Sequence, residues 1–308
     1  MMIPRTCRLT ALLLSAISAH SHAGHEVKPE FKSNLTKEVV PEETKIDLFE
    51  VQSDYVFQSK LHGSRGKGEQ DVAYQSGEYG HRFLISGKWY FRAGLAYERY
   101  DFGGTKAPTP GKLQSFRVPL ALEYVQDDYV GATVKIEPGF FYENDVRANA
   151  FDLPWEAYFT LKLRDDHLYG VLGASGAQYY SVPVVPVIGL IWIVDDAKKF
   201  RVEAVFPRPA VVYNMSDDWE FRLQGEIKGG GYRTDKQSAF TPAKLNNAVV
   251  EYYEYRVGAQ VTFSKWKPFD LVLNAGYALE RTFDYYRADK VFKADPAPYV
   301  RLELDAEF

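Results

Sequence analysis

WEFRLQGEIK (219–228) alternates without a fault. Trp219, Phe221, Leu223, Gly225 and Ile227 fall on one face; Glu220, Arg222, Gln224, Glu226 and Lys228 fall on the other. A period of two belongs to a strand, and a face this charged must meet water. The pattern spreads outward from there. Phe116, Val118, Leu120, Leu122 and Tyr124 oppose Ser115, Arg117, Ala121 and Glu123, and Val130, Ala132, Val134 and Ile136 oppose Thr133, Lys135 and Glu137. Phe269, Leu271, Leu273, Ala275, Tyr277 and Leu279 oppose Asp270, Asn274 and Glu280. After residue 24 nothing competes at the helical period, so the chain is expected to be all-β.

The connectors alternate between tight and long. Tight ones are 86–88, 126–128, 164–166, 194–199, 216–218 and 264–268; longer ones are 61–70, 103–111, 143–152, 234–246 and 287–299. Short periplasmic turns with longer outer loops mark an outer-membrane barrel, and the parity puts both ends of residues 46–308 in the periplasm. One stretch strains the count. FRVEAVFPRPAVVYNM (200–215) must hold two strands turning at Pro207-Arg208-Pro209. Each arm is shorter than the roughly 9–11 residues that span a bilayer. The expectation is a transmembrane antiparallel up-and-down β-barrel of about 14 strands, with 12 as the alternative.

A soluble barrel could alternate in the same way, but about eight strands is the width that side chains can fill. A 14-strand wall with Phe and Leu inside would surround a greasy void. With the charged face turned outward instead, Arg222 and Lys228 would each cost roughly 2–4 kcal/mol at the bilayer midplane. The apolar face therefore goes to lipid and the charged face to the lumen. Aromatics are 15% of the residues and gather near strand ends, as at Tyr55 and Phe57, Trp89 and Phe91, and Tyr252 to Tyr255. That suits interfacial girdles. SVPVVPVIGLIWIV (181–194) is apolar on both faces. Its inward side is expected to pack against something; the other possibility is an apolar strip for a greasy solute.

Ahead of the barrel, Arg5 and Arg8 precede an apolar run from Leu9 to Ala19, and Ser21-His22-Ala23 makes a small-residue cleavage site. Residues 1–23 read as an export signal, and polar, aperiodic 24–45 as a flexible periplasmic lead. The one cysteine, Cys7, would leave with the signal, as would two of the three histidines of HSHAGH (20–25), so no disulfide or metal site is expected. A net charge of −4 gives no nucleic-acid footprint.

The chain closes on YVRLELDAEF, with Val300, Leu302, Leu304, Ala306 and Phe308 alternating with Arg301, Glu303, Asp305 and Glu307. This ending resembles the C-terminal signal of Gram-negative outer-membrane proteins. The resemblance implies that Phe308 is a mark read by the barrel-assembly machinery and an anchor of the closing strand. More narrowly, residues 204–233 and 249–286 are similar to an uncharacterised barrel family, a domain of unknown function with no established site residues to carry over.

The expected lumen charges are Arg92, Arg117, Glu123, Lys135, Glu137, Glu156, Lys162, Glu220, Arg222, Glu226, Lys228, Arg256, Glu280, Arg301 and Glu303. Acids and bases nearly balance. Such a ladder can line a hydrated pore and tune its selectivity, or it can cross-link a polar interior. The first possibility makes the protein a passive or weakly selective channel for small solutes in the outer membrane. The second makes it a non-conducting structural or surface-binding barrel. No cofactor is implied, and outer-membrane lipid is the expected surrounding. Catalysis is not expected: there is no G-x-S-x-G, and His81 with Ser86 is the nearest approach to a base and nucleophile.

Overall fold

The structure, a computed structural model, describes residues 47–63, 66–105, 107–126, 129–164, 167–235 and 243–308; the expected signal, the lead and Ile46 lie outside them. The alternating stretches form β1 (Asp47–Gly63), β2 (Gly66–Ser86), β3 (Trp89–Phe102), β4 (Lys112–Arg117), β5 (Leu120–Val125), β6 (Gly131–Ile136), β7 (Gly139–Tyr142), β8 (Phe151–Asp152) and β9 (Trp155–Arg164). They continue as β10 (Leu168–Gly176), β11 (Val184–Ile193), β12 (Phe200–Phe206), β13 (Ala210–Ser216), β14 (Trp219–Arg233), β15 (Val249–Phe263), β16 (Phe269–Tyr285), β17 (Lys290–Ala294) and β18 (Ala297–Glu307). Four staves are each cut into two segments (β4–β5, β6–β7, β8–β9 and β17–β18), so the eighteen segments make fourteen staves.

Successive staves pair antiparallel, and β1 closes the ring on β18 from Leu48↔Glu307 to Val56↔Tyr299. Phe308 and Asp47 exchange both backbone hydrogen bonds at that seam. Closure leaves no sheet edge along the seam, which a membrane strand requires. All four cuts fall at prolines, the fourth at Pro296, and three of them lie on adjacent staves. Pro119, Pro138 and Pro154 lack a donor, yet their carbonyls still accept from Gly94, Val118 and Glu137 at 2.8–3.0 Å, and the register runs on unbroken.

The outer face is apolar, with Leu95, Leu172, Leu223, Leu273 and Leu302 each 50–59% exposed. Aromatic pairs sit at the tight-turn end, among them Trp89–Tyr124 at 5.1 Å and Trp219–Phe263 at 4.7 Å between ring centroids. Two expected outer connectors prove largely to be strand. The described residues of 61–70 belong to the β1–β2 hairpin, and 287–299 contains β17 and the start of β18. Sequence beyond the apolar band can stay polar and still pair, because the ladder satisfies the backbone there as well.

The staves differ in height. β12 and β13 have seven residues each, and β14, β15 and β16 have 15 to 17. Above the short arms Arg233 of β14 pairs parallel with Tyr142 of β7, cutting out every stave between them. The outer end is thus a smaller ring of nine: β1, β2, β3, β4, β7, β14, β15, β16 and β17. The principal core lies inside this ring, and a second apolar cluster lies against β10–β12.

Candidate functional site

The register of the long staves sets opposite charges side by side on the inward face. Glu226 pairs with Arg256 and Lys228 with Glu254 across β14–β15, and Asp54 pairs with Arg301 across β1–β18. From these rows a layer forms across the lumen. Asp54 accepts from Lys228 Nζ at 2.9 Å, Arg256 Nη1 at 2.5 Å and Arg301 Nε at 3.1 Å. Glu226 takes both Nη groups of Arg301, at 2.5 and 3.2 Å, and Arg208 Nη2 at 3.4 Å. Glu254 accepts from Arg256 Nε at 2.7 Å and from the Tyr252 hydroxyl at 2.5 Å. Asp54 and Lys228 stand on staves separated by three others, so these bonds cross the interior. The side chains of Asp54, Lys228, Arg256, Arg301 and Glu226 are at most 1% exposed.

Tyrosine faces complete the layer. Lys228 Nζ lies 3.4 Å from the Tyr74 ring centroid and the Arg256 guanidinium 4.6 Å from that of Tyr299. Desolvated cation–π contacts of this kind are worth about 2 kcal/mol. A neighbouring network joins Arg117 to Glu98 and Glu137, each at 3.5 Å, with Lys135 at 3.0 Å from Glu137. Tyr232 of β14 donates to Glu98 of β3 at 2.8 Å, again across the lumen.

Above the charges the nine-stave ring is filled with aromatics. Tyr100 meets Tyr252 at 5.1 Å, and Phe102 meets Tyr252 and Phe283 at 4.9 Å each. Ala107 and Leu245, from outer connectors, are buried among them. Nine staves come close to the width that side chains can fill.

Toward the tight-turn end the inward residues become partly exposed, as at Glu50, Glu78, Arg82, Tyr90, Thr133, Gln260 and Glu303. Glu123 there bridges Arg82 at 2.8 Å and Arg92 at 3.0 Å, and Glu203 takes Arg201 and Arg222 at 2.6 and 2.9 Å. Among the described residues, Glu50, Glu303 and Asp305 are the group able to hold a cation, their carboxylate oxygens lying within 4.8 Å of one another. Strand β11 has both faces occupied. Ile188, Leu190 and Trp192 point outward, while Val187, Ile191 and Ile193 pack inward on Tyr129, Tyr169, Val171 and Val205.

Arg92, Arg117, Glu123, Lys135, Glu137, Glu220, Arg222, Glu226, Lys228, Arg256 and Arg301 thus meet in ion-pair networks, with Glu156 opposite Lys135, and Glu303 among the acidic trio. Lys162 is exposed near the tight-turn end of β9. Glu280 is a correction. A bulge between β15 and β16 shifts the register there, and Glu280 lies in the exposed ladder with Lys293, at 2.8 Å. Arg281 is buried in its place and donates to Ser59 Oγ and to the Gln70 carbonyl. Simple alternation missed Arg281; the one available sign was a strand pattern too long for the bilayer, which invites a bulge. It also missed Arg208, hidden in what reads as a turn. His81 Nδ1 is 2.9 Å from Asp47, its ring meets Phe83 edge-on, and Ser86 lies further along at the last position of β2.

A model of the family described as Domain of unknown function (DUF6268) matches residues 136–305, more than half of the chain. No curated protein matches. Among solved structures, the COG4313 outer membrane channel from Pseudomonas putida F1 is 12% identical with a TM-score of 0.48, covering 85% of this chain and 95% of that one. The Pseudomonas putida toluene transporter TodX is 10% identical at 0.41, covering 94% and 95%. The Ralstonia pickettii toluene transporter TbuX is 10% identical at 0.35, covering 86% and 90%.

Proposed function

We propose that this chain, which belongs to the family described as Domain of unknown function (DUF6268), is an outer-membrane barrel sealed along its axis at rest. The Asp54 layer carries this reading. Its five central side chains are at most 1% exposed, and a steadily conducting lumen would leave water beside them. The packed aromatics above repeat the closure. Passive, weakly selective passage of small solutes would need both layers to part, so the non-conducting barrel is the better supported of the two readings.

The location rests on the apolar outer face, the aromatic belt and the signal-like residues 1–23. Export with cleavage near Ala23–Gly24, and recognition of Phe308 by the assembly machinery, belong to the same proposal. Phe308 lies at the β1–β18 seam, with its ring 5.9 Å from Phe269. We assign no catalytic step. In planar bilayers the purified protein should be electrically silent while running as a heat-modifiable barrel on a gel. Steady conductance from barrels with that same heat shift would restore the open channel.

A further inference from the structure

Seven basic side chains are buried among the described residues, and six of them touch a carboxylate. Arg92 meets Glu123, Arg117 meets Glu98 and Glu137, Arg201 meets Glu203, and Lys228, Arg256 and Arg301 share Asp54. The seventh is Arg281, 1% exposed, with no carboxylate oxygen within 4.0 Å among the described residues. Its Nη2 donates to Ser59 Oγ at 2.5 Å and to the Gln70 carbonyl at 3.1 Å. Nε and Nη1 find no acceptor in the protein. Nε carries one hydrogen and Nη1 two, so three of the five N–H groups of the fork are unused.

The register shows why no acid is at hand. The bulge between Tyr255 and Arg256 brings Arg281 inward, opposite Glu254 on β15 and Ala294 on β17. Glu254 is taken by Arg256 Nε at 2.7 Å and by the Tyr252 hydroxyl. Glu280 lies in the exposed ladder with Lys293, and the half-exposed Asp295 carboxylate meets His62 at 2.9 Å. Ser59 cannot help, because its hydroxyl donates to the Asp295 carbonyl at 2.8 Å. On the inward faces of β1, β2 and β17 stand Val56, Leu61, Val72 and Ala294, all at most 5% exposed. Gln70, 1% exposed, has Oε1 without a donor.

A guanidinium is always charged, and a buried charge with no partner costs several kcal/mol. A water bridging Arg281 to Gln70 Oε1 would complete hydrogen bonds but would bring no charge. We propose that Arg281 anchors a buried anion site, which takes one small monovalent inorganic anion, a halide such as chloride, at Nε or Nη1. One guanidinium carries one charge, so a single monovalent ion balances it. A multiply charged oxyanion would need further cations, and Val56, Leu61, Val72 and Ala294 supply none. With those neighbours closed around it, the ion would enter as the barrel folds and leave slowly. It would fix a fork that already ties β16 to β1 and β2. The site lies in the wall of the nine-stave ring and is independent of whether the axis conducts.

The test uses the full chain, refolded in detergent in sodium gluconate, sodium chloride or sodium bromide at equal ionic strength and then unfolded with urea. For the wild type both halides should raise stability above the gluconate value, by about 1.4 kcal/mol for each tenfold rise in halide once the site is nearly saturated. Arg281→Met should lose that dependence. Ser59→Asp puts a carboxylate where Arg281 Nη2 now bonds a hydroxyl; it should lose the dependence too, and in gluconate should match or exceed the wild type. Should Arg281→Met not fold, crystals of the wild type refolded in bromide decide. An anomalous peak in contact with Nε or Nη1 supports the site, and a water there without such a peak overturns it. Equal wild-type stability in gluconate and halide would overturn the anion, as would a halide effect that survives in Arg281→Met.

Discussion

The long-stave half of this barrel and its tight-turn half share one sheet and one alternation, yet their interiors differ. Nine staves at the outer end enclose Tyr100, Phe102, Tyr252 and Phe283 in ring contact across the lumen. Fourteen staves below enclose Glu50, Arg82, Gln260 and Glu303, partly exposed. The circumference decides. A ring of eight or so strands can be filled from its own walls, whereas a ring of 14 is too wide. The charged layer stands where the one becomes the other.

Removing a charge from that boundary should have the largest effect. Asp54→Ala leaves Lys228, Arg256 and Arg301 buried without their shared acceptor. Removing one partner of a buried ion pair costs about 3–5 kcal/mol. The variant should unfold at lower denaturant and show conductance bursts that the wild type lacks. Glu303→Ala, in the wider half, should shift stability by no more than about 1 kcal/mol, as partly exposed charges do. If the two denaturation midpoints move equally, the halves are not energetically distinct.

How much of this was legible follows from range. Alternation is local, so the staves, their inward faces and charges such as Lys228 and Arg256 were readable from stretches like 219–228. The 14-strand count followed from turn parity, with the short hairpin included. The nine-stave ring was not readable. It depends on Arg233 meeting Tyr142, positions 91 residues apart, and neither carries a mark of the other. Arg208 was hidden for a related reason: on a turn, alternation assigns no face, and only the depth of the turn makes its charge notable.

The bulge at β15–β16 offers a middle-sized test of the same boundary. Arg281→Ala, which removes a buried donor to Ser59 and the Gln70 carbonyl, should cost about 1.5–3 kcal/mol, the range for hydrogen bonds from charged groups. Its neighbour Glu280→Ala breaks an exposed pair with Lys293 and should cost within about 1 kcal/mol. Reversal of that order in denaturant titrations would put Glu280 inside and remove the bulge from the account.

The smallest expected effect belongs to the tight turn between β11 and β12, held locally and not by packing. The Asp195 carboxylate accepts from Phe200 N–H at 2.7 Å and Lys199 N–H at 3.2 Å. The bond from Phe200, aided by that from Lys199, holds the carboxyl below the usual range for an aspartate. The folded value is depressed relative to the unfolded one, so the stabilisation is present above the unfolded value, about 3.9, and is lost as pH falls through the folded value. Acidification below about pH 4 should therefore lower the hydrogen-exchange protection of the Phe200 amide, corrected for intrinsic rate. Asp195→Asn should flatten that dependence. The Thr234 amide at the other end of the molecule donates to the Ala248 carbonyl, involves no carboxylate, and should keep its protection over the same range. Equal loss at both amides would mean that acid loosens the barrel as a whole, and the turn would then have no local hold of its own.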